Sequence, residues 1–358
     1  MTLLELIIFS ALAFTVAFLL IPVFIKLLER WRVFDSPGKH KIHEQFKPSM
    51  GGAPIVIGVG FAVLIALPMS EIAHLKYYFI AIILMFITGL RDDILTLTPR
   101  QKMLSQFLPV IILIVFHQVE LRSMYELAPH FEFHEIGAWA VTFFTLIILT
   151  NAFNLIDGID GLAGTIGVII LLCLGLWFHS ITQSTLALLA FSFAGATLAF
   201  LYFNWQPSKI FMGDTGALTI GFVIASLAIQ FINLNFALDE NHPAHLRSSI
   251  SSAVCILIIP IFDTVRVIII RLMHSQSPFK ADKNHLHHEL LALNLSHAQA
   301  VIVLATINAA FIALAWILRS QPDAIILLVV AGTCLLIQIV LVLAKRRYVV
   351  VRGKSGIA

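Results

Sequence analysis

The chain has 358 residues, 59% of them hydrophobic and only 12% charged, with a formal net charge of +3 and a mean hydropathy of +0.95. Soluble domains carry roughly a quarter charged residues, so a water-soluble enzyme, a secreted disulfide scaffold and a disordered chain are excluded. Cys173, Cys255 and Cys334 stand singly in apolar runs and form no CxxC, so neither a zinc site nor a disulfide framework is implied.

A membrane-crossing helix needs about 20 mostly apolar residues. The hydropathy pattern predicts eleven: 7–25, 51–70, 77–90, 103–119, 136–156, 162–181, 186–203, 215–236, 249–270, 298–318 and 324–344. The first is too long, and lacks the basic leader, for a cleaved signal peptide. No repeat or soluble segment interrupts the pattern, so residues 1–358 read as one all-α, polytopic membrane domain. Of the 23 basic residues, all but Lys76, Arg122, Arg247 and Arg319 fall on the side of the tail that starts at Lys345. The positive-inside bias makes that side cytoplasmic and leaves the N-terminus outside. Asp263 and Arg266, in the ninth segment, are spaced i,i+3 and are expected to pair, which lowers the cost of burying them.

Chemistry gathers in the loops of the same side. After the first segment, Asp35-Ser-Pro37-Gly-Lys39-His40-Lys41-Ile-His43 is basic, which also suits a juxtamembrane contact with anionic headgroups. After the third, Asp92 and Asp93 end a helix, where its dipole disfavours anions. Ionising both asks for a metal or a cationic setting; a solvated acidic cap is the plainer reading. Thr98-Pro99 reads as an N-cap and first-turn proline that start the next helix.

After the fifth segment, Asn154, Asp157 and Asp160 recur every third residue among glycines, either as a polar turn or as one polar face toward a ligand. After the seventh, Asp214 opens a helix whose free N–H groups would suit phosphate; Asp214 itself reads equally as a cation ligand or as an N-cap. After the ninth, His285, His287 and His288 beside Lys280 and Lys283 form an anion-binding surface when partly protonated, with zinc ligation or a bland surface cluster as the rivals. Acids for a divalent cation and bases for anionic groups, at one lipid–water boundary, suit a phosphorylated substrate with one lipid part. An ion-coupled transporter is the alternative class, but its charges tend to sit at mid-bilayer between repeats.

The residues from Asp35 to about His297 resemble the polyprenyl-phosphate N-acetylhexosamine-1-phosphate transferases, the superfamily containing MraY, in its WecA/TagO branch. The strongest matches are Asn151–Gly161 (family form NAxNxxDGxDGL) and Phe211-Met-Gly-Asp214-Thr-Gly. His285-Leu-His287-His288 follows the HxHH of this branch rather than the HHH of the MraY branch, which argues against a phospho-MurNAc-pentapeptide substrate. This chain departs at His40, where the family has Arg, and at Ala281-Asp282-Lys283, where it has Pro-Asp-Arg.

The resemblance implies transfer of a sugar 1-phosphate, by default N-acetylglucosamine 1-phosphate, from a UDP-N-acetylhexosamine to undecaprenyl or another polyprenyl phosphate. UMP leaves, and the product would initiate a cell-envelope glycan such as lipopolysaccharide O-antigen or teichoic acid. It implies Mg²⁺ or Mn²⁺ on Asp214 and Asn154, and Asp92 and Asp93 at the lipid phosphate. Asp157 and Asp160 would lie in the nucleotide and active-site pocket, with Asn204 and Phe211 near the uridine. His285, His287 and His288 would bind the pyrophosphate, and Lys41, His43 and Lys102 join the substrate-binding set. The site would face the cytoplasm from the inner membrane, without nucleic acid and with a homodimer left open. Because a phosphate monoester has a second pKa of about 6, Asp92 and Asp93 are weighted toward positioning rather than proton removal, and a covalent aspartyl-phosphate intermediate is the rival mechanism.

Overall fold

A computed structural model describes residues 1–31, 47–128, 131–277 and 284–354. The described residues form fifteen α-helices: α1 (Leu3–Trp31), α2 (Gly52–Ala66), α3 (Met69–His74), α4 (Lys76–Leu95), α5 (Pro99–Ser105), α6 (Phe107–Val115), α7 (Glu135–Leu155), α8 (Leu162–Ser180), α9 (Ser184–Asn204), α10 (Gly213–Ala237), α11 (Ser249–Ile256), α12 (Ile258–Met273), α13 (Leu286–Ala292), α14 (His297–Ile317) and α15 (Asp323–Lys354). No β-strand is present among the described residues; a single antiparallel bridge joins Ser123 to Glu132.

Each of the eleven expected segments falls on helix, but they are not equally long. Seven helices are long and apolar enough to cross a membrane, or eight if the bent pair α11–α12 is one span. The others differ for local reasons. Helix α2 stops at Ala66, just ahead of Leu67-Pro68, where the residue before proline is pushed out of helical geometry. Helix α4 carries Arg91, Asp92 and Asp93 in its last turns.

The remaining two segments break at prolines. Helix α11 ends at Ile256 and α12 turns away by 86°; α5 ends at Ser105 and α6 restarts at Phe107. In each case a proline, Pro260 or Pro109, lies four residues beyond the helix end. Its missing N–H and its ring deny that carbonyl a helical partner. Pro22 is accommodated within α1 without a break.

Helix α10 is the hub. It packs on α4, α7, α2, α8 and α11, while α1 runs along α9 and α2, and almost every residue from Thr215 to Ile232 of α10 is buried. Helix α15 is peripheral, with Leu328 and Leu335 among its many exposed apolar residues, a surface that suits lipid tails. The polar ends of α4, α7, α9 and α10 converge at one end of the bundle.

Candidate active site

The acid cluster forms where α4 meets the start of α10. Gly89 permits the meeting: a Cβ there would lie 2.3 Å from the backbone oxygen of Asp214. With the two helices in contact, Asp93 reaches the first turn of α10. Its Oδ1 accepts the Asp214 N–H at 2.8 Å, and its Oδ2 accepts the Thr215 N–H at 3.0 Å and the Thr215 hydroxyl. Gly213 completes the turn at φ +69°, where a Cβ would also lie 2.5 Å from Asp93 Oδ2.

This corrects one expectation. The N–H groups at the start of α10 are not free for phosphate, because Asp93 occupies them as a cap supplied from another helix. Nor is Asp214 the cap, since it lies within the first turn of the helix. Burial raises the Asp93 carboxyl to about 7, outweighing its hydrogen bonds and the N-terminal dipole of α10, which favour its charge.

Asp92 has a different partner. It is 7% exposed; its Oδ1 accepts the Leu97 N–H at 2.7 Å, and its Oδ2 lies 3.1 Å from Lys102 Nζ. Lys102 is aimed there by α5, which starts with a capping box between Thr98 and Gln101 and with Pro99 in its first turn, as the sequence predicts. The same ammonium donates to Asp214 Oδ1 and, at 3.4 Å, to Asn154 Oδ1. Asn154 Nδ2 donates to Asp214 Oδ1 at 2.6 Å. Lys102 therefore sits in a cradle of hard oxygen donors from Asp92, Asp214 and Asn154. Among the described residues no three His, Cys, Asp or Glu side chains converge as a metal-binding set. Two carboxylates and an amide oxygen nevertheless fit Mg²⁺, which is usually held by one or two carboxylates together with substrate phosphates and water.

The segment 154–161 links this cluster to the rest of the end. Asn154 belongs to the acid cluster, and Asp157 follows half-buried, its N–H on the Asn154 carbonyl at 3.2 Å. At Gly158 a Cβ would lie 2.2 Å from His287 Nε2, so α13 docks on the turn where a side chain is absent. At the far end, Asp160 is 4% exposed and accepts from the Ser208 N–H at 3.2 Å and hydroxyl at 2.8 Å. Lys47 and His297 approach it at 3.9 and 3.7 Å. Burial alone would raise the Asp160 carboxyl, but hydrogen bonds from His297 and Ser208 and the Lys47 charge outweigh it and hold it down to about 2.

Asn204 is 3% exposed. Its oxygen accepts the Gly161 N–H at 2.9 Å and its amide donates to the Ile210 carbonyl at 2.8 Å. It is thus a strut between two loops. Phe211 is half-buried beneath Lys47, whose Nζ lies 5.3 Å from the ring centroid.

His285, His287 and His288 come together on α13 and the residue before it, the rings of His287 and His288 4.3 Å apart. His287 is 2% exposed; burial, reinforced by neighbouring His288, pulls it down to about 3, so it is neutral rather than a partly protonated member of the trio. Asp263 and Arg266 do not pair as expected. Asp263 accepts from His285 Nδ1 at 2.6 Å, whereas Arg266 lies 3.4 Å from Glu289 and donates to Gln338 and to the Asn284 carbonyl. Lys41 and His43, with His40, Lys280, Asp282 and Lys283, lie outside the described residues. Motif reading missed Lys47, Gly89, Ser208, Thr215 and His297; a basic residue ahead of Gly51-Gly52 and a glycine in the apolar run before Arg91-Asp92-Asp93 were the available signals.

A family model described as glycosyl transferase family 4 matches residues 75–232, the stretch that holds the acid cluster and the 154–161 turn. A protein of Bacillus subtilis (strain 168) described as a probable undecaprenyl-phosphate N-acetylglucosaminyl 1-phosphate transferase is 32% identical over 334 residues, 92% of this chain and 90% of its own. The undecaprenyl-phosphate alpha-N-acetylglucosaminyl 1-phosphate transferase of Yersinia pestis is 29% identical over 314 residues, 84% of this chain and 80% of its own. Its counterpart in Escherichia coli (strain K12) is 28% identical over 296 residues, 80% and 77% of the two chains. Together with the convergence of the motif residues at one end of the helical bundle, these matches show that the chain belongs to the glycosyl transferase family 4 of polyprenyl-phosphate sugar-phosphate transferases.

Proposed function

We propose that the protein transfers N-acetylglucosamine 1-phosphate from UDP-N-acetylglucosamine to undecaprenyl phosphate, releasing UMP and leaving a lipid-linked pyrophosphoryl sugar. The observation that carries this reading is the cradle in which Asp92, Asp214 and Asn154 surround one cation, the Lys102 ammonium. The names of the relatives supply the substrate class. The distribution of basic residues supports placing this end at the cytoplasmic face of the inner membrane.

The reaction brings one phosphate anion onto another, so its main barrier is electrostatic. Mg²⁺ held by Asp214 and Asn154, with Asp92 beside it, would supply charge neutralisation between the two phosphates. The chain's own residues do the rest. Lys102 adds a movable positive charge at the same spot, and Asp93 fixes the start of α10 and with it the bearing of Asp214. The lipid phosphate, with a second pKa of about 6, needs no strong base. Asp92 is 7% exposed, with one oxygen on a backbone N–H and the other on Lys102, an arrangement that suits positioning and disfavours attack on phosphorus. Direct displacement is therefore preferred over an aspartyl-phosphate intermediate.

The test is a panel of UDP-sugars offered to the purified protein with undecaprenyl phosphate, scored by UMP release. UDP-N-acetylglucosamine is expected to turn over fastest. No UMP from any UDP-N-acetylhexosamine would overturn the proposal.

A further inference from the structure

Helix α12 grips the histidine loop with two residues one turn apart. Asp263 is 1% exposed; its Oδ2 accepts from His285 Nδ1 at 2.6 Å and its Oδ1 accepts the Leu286 N–H at 2.6 Å. Arg266 holds the carbonyl just before the histidine, at Asn284, and Glu289 three residues after His285-Leu286 begins α13. Glu289 is also bonded by Lys345 from α15. These bonds place a buried carboxylate at the Nδ1 edge of His285, whose ring stacks on His287 at a centroid distance of 5.7 Å and an angle of 9°.

We propose that Asp263 is a positioning residue for the transfer reaction: it fixes the tautomer and bearing of His285 so that Nε2 is the nitrogen presented to the substrate's pyrophosphate. The inference rests on reading the histidine loop as the pyrophosphate-binding element. An ionised carboxylate has no proton to give, so His285 Nδ1 carries the hydrogen and Nε2 is left for the ligand. A pyrophosphate oxygen offers no hydrogen, so Nε2 reaches it as a donor from the protonated ring, whose charge the Asp263 carboxylate behind Nδ1 offsets and an amide in its place would not. The Leu286 N–H fixes which oxygen of Asp263 faces the ring, so the device has one orientation only. For metal-ligating histidines, the partner that holds the far nitrogen is typically worth 10–100-fold in affinity or activity, and the same scale is expected for His285.

Selective ¹⁵N-histidine labelling of the full chain in detergent, with His285 assigned by its loss in His285→Gln, reads the tautomer directly. In the unmodified protein Nδ1 of His285 is expected to be protonated. In Asp263→Asn the amide oxygen keeps the Leu286 N–H and the amide NH₂ donates to Nδ1, so the hydrogen is expected to move to Nε2. The kcat for UMP release should then fall about 100-fold with the thermal midpoint little changed, and the same change added to His285→Gln should have no further effect. A bare Nδ1 in the unmodified protein, or full activity in Asp263→Asn, overturns the proposal; the first of these does not depend on how the variant folds. If His285→Gln is itself fully active, it is the reading of the histidine loop that fails. If His285→Gln is impaired and Asp263→Asn is not, only the role of Asp263 fails.

Discussion

Asp93, near the end of α4, accepts the backbone N–H of Asp214 at 2.8 Å and so caps the helix on which Asp214 stands. The bond spans 121 residues of sequence and sets the position of one carboxylate by means of another. Asp93→Ala removes both backbone acceptors and the Thr215 partner. The expected result is a lower thermal midpoint in detergent, equivalent to about 1–2 kcal/mol for a lost cap, together with a severe loss of UMP release. Asp93→Asn retains one acceptor and should fall between the two. An Asp93→Ala variant as stable and active as the parent would show that the cap does not hold Asp214.

Lys102 stands between Asp92 and Asp214, at 3.1 Å from the first. Lys102→Met leaves two carboxylates facing each other, which strengthens the attraction for a divalent cation while removing a positive charge from the transition state. Magnesium titration of UMP release should show half-saturation at lower Mg²⁺ and a kcat reduced by about 100-fold, the scale of one lost charge-stabilising donor. Chelation of divalent cations should stop turnover in the parent protein, and Mg²⁺ should restore it.

Gly89 is a packing requirement. Gly89→Ala puts a methyl group 2.3 Å from a backbone oxygen of α10, which cannot turn aside, so α4 must shift and carry Asp92 and Asp93 with it. Activity should be lost with the protein still inserted in the membrane. Gly60→Ala is the control, because a Cβ there meets nothing within 4 Å; it should leave activity at the parent's level, with a thermal midpoint no lower than the parent's, since Ala is favoured over Gly in a helix interior.

Three buried groups shape the pH response, and they do not all pull the same way. His287 is lowered to about 3 from 6.5, so below pH 6.5 the unfolded chain binds a proton that the folded chain refuses. Stability contributed by the neutral ring is complete above pH 6.5 and is lost progressively as the pH falls toward 3. Asp160, held at about 2 against 3.8, adds stability that is complete above 3.8 and lost only as the pH falls through 2. Asp93 acts in the opposite sense: burial raises it to about 7 from 3.8, so the folded chain holds the extra proton and stability grows as the pH falls from 7 toward 3.8. Between pH 7 and pH 5, the thermal midpoint of His287→Gln should therefore rise relative to the parent's as the pH falls, that of Asp93→Asn should fall relative to it, and Asp160→Asn should leave the slope unchanged.

The sequence made the helical segments legible because lipid demands long apolar runs. Asp92, Asp93, Asn154, Lys102 and Asp214 were legible as a set through the family resemblance, because each motif alone also read as an acidic cap, a polar turn or an N-cap. The sequence did not reveal what each carboxylate bonds to. Asp93 turns out to cap a helix, and Asn204 to tie two backbones together. Asp263 and Arg266 are one turn apart and of opposite charge, yet each turns to the histidine loop, because contact along one helix says nothing of what a neighbouring loop offers. The breaks before Pro109 and Pro260 could have been read from the prolines, but Pro22 shows that the residue alone does not decide.

The central claim is that the bond broken lies between the two phosphates of the UDP-sugar, with the sugar leaving on its phosphate. UDP-N-acetylglucosamine labelled at the β-phosphate, incubated with the purified protein, undecaprenyl phosphate and Mg²⁺, distinguishes this from transfer of the sugar alone. The account predicts that all transferred label appears in the lipid fraction and that the nucleotide released is unlabelled UMP. Label recovered in released UDP would contradict it.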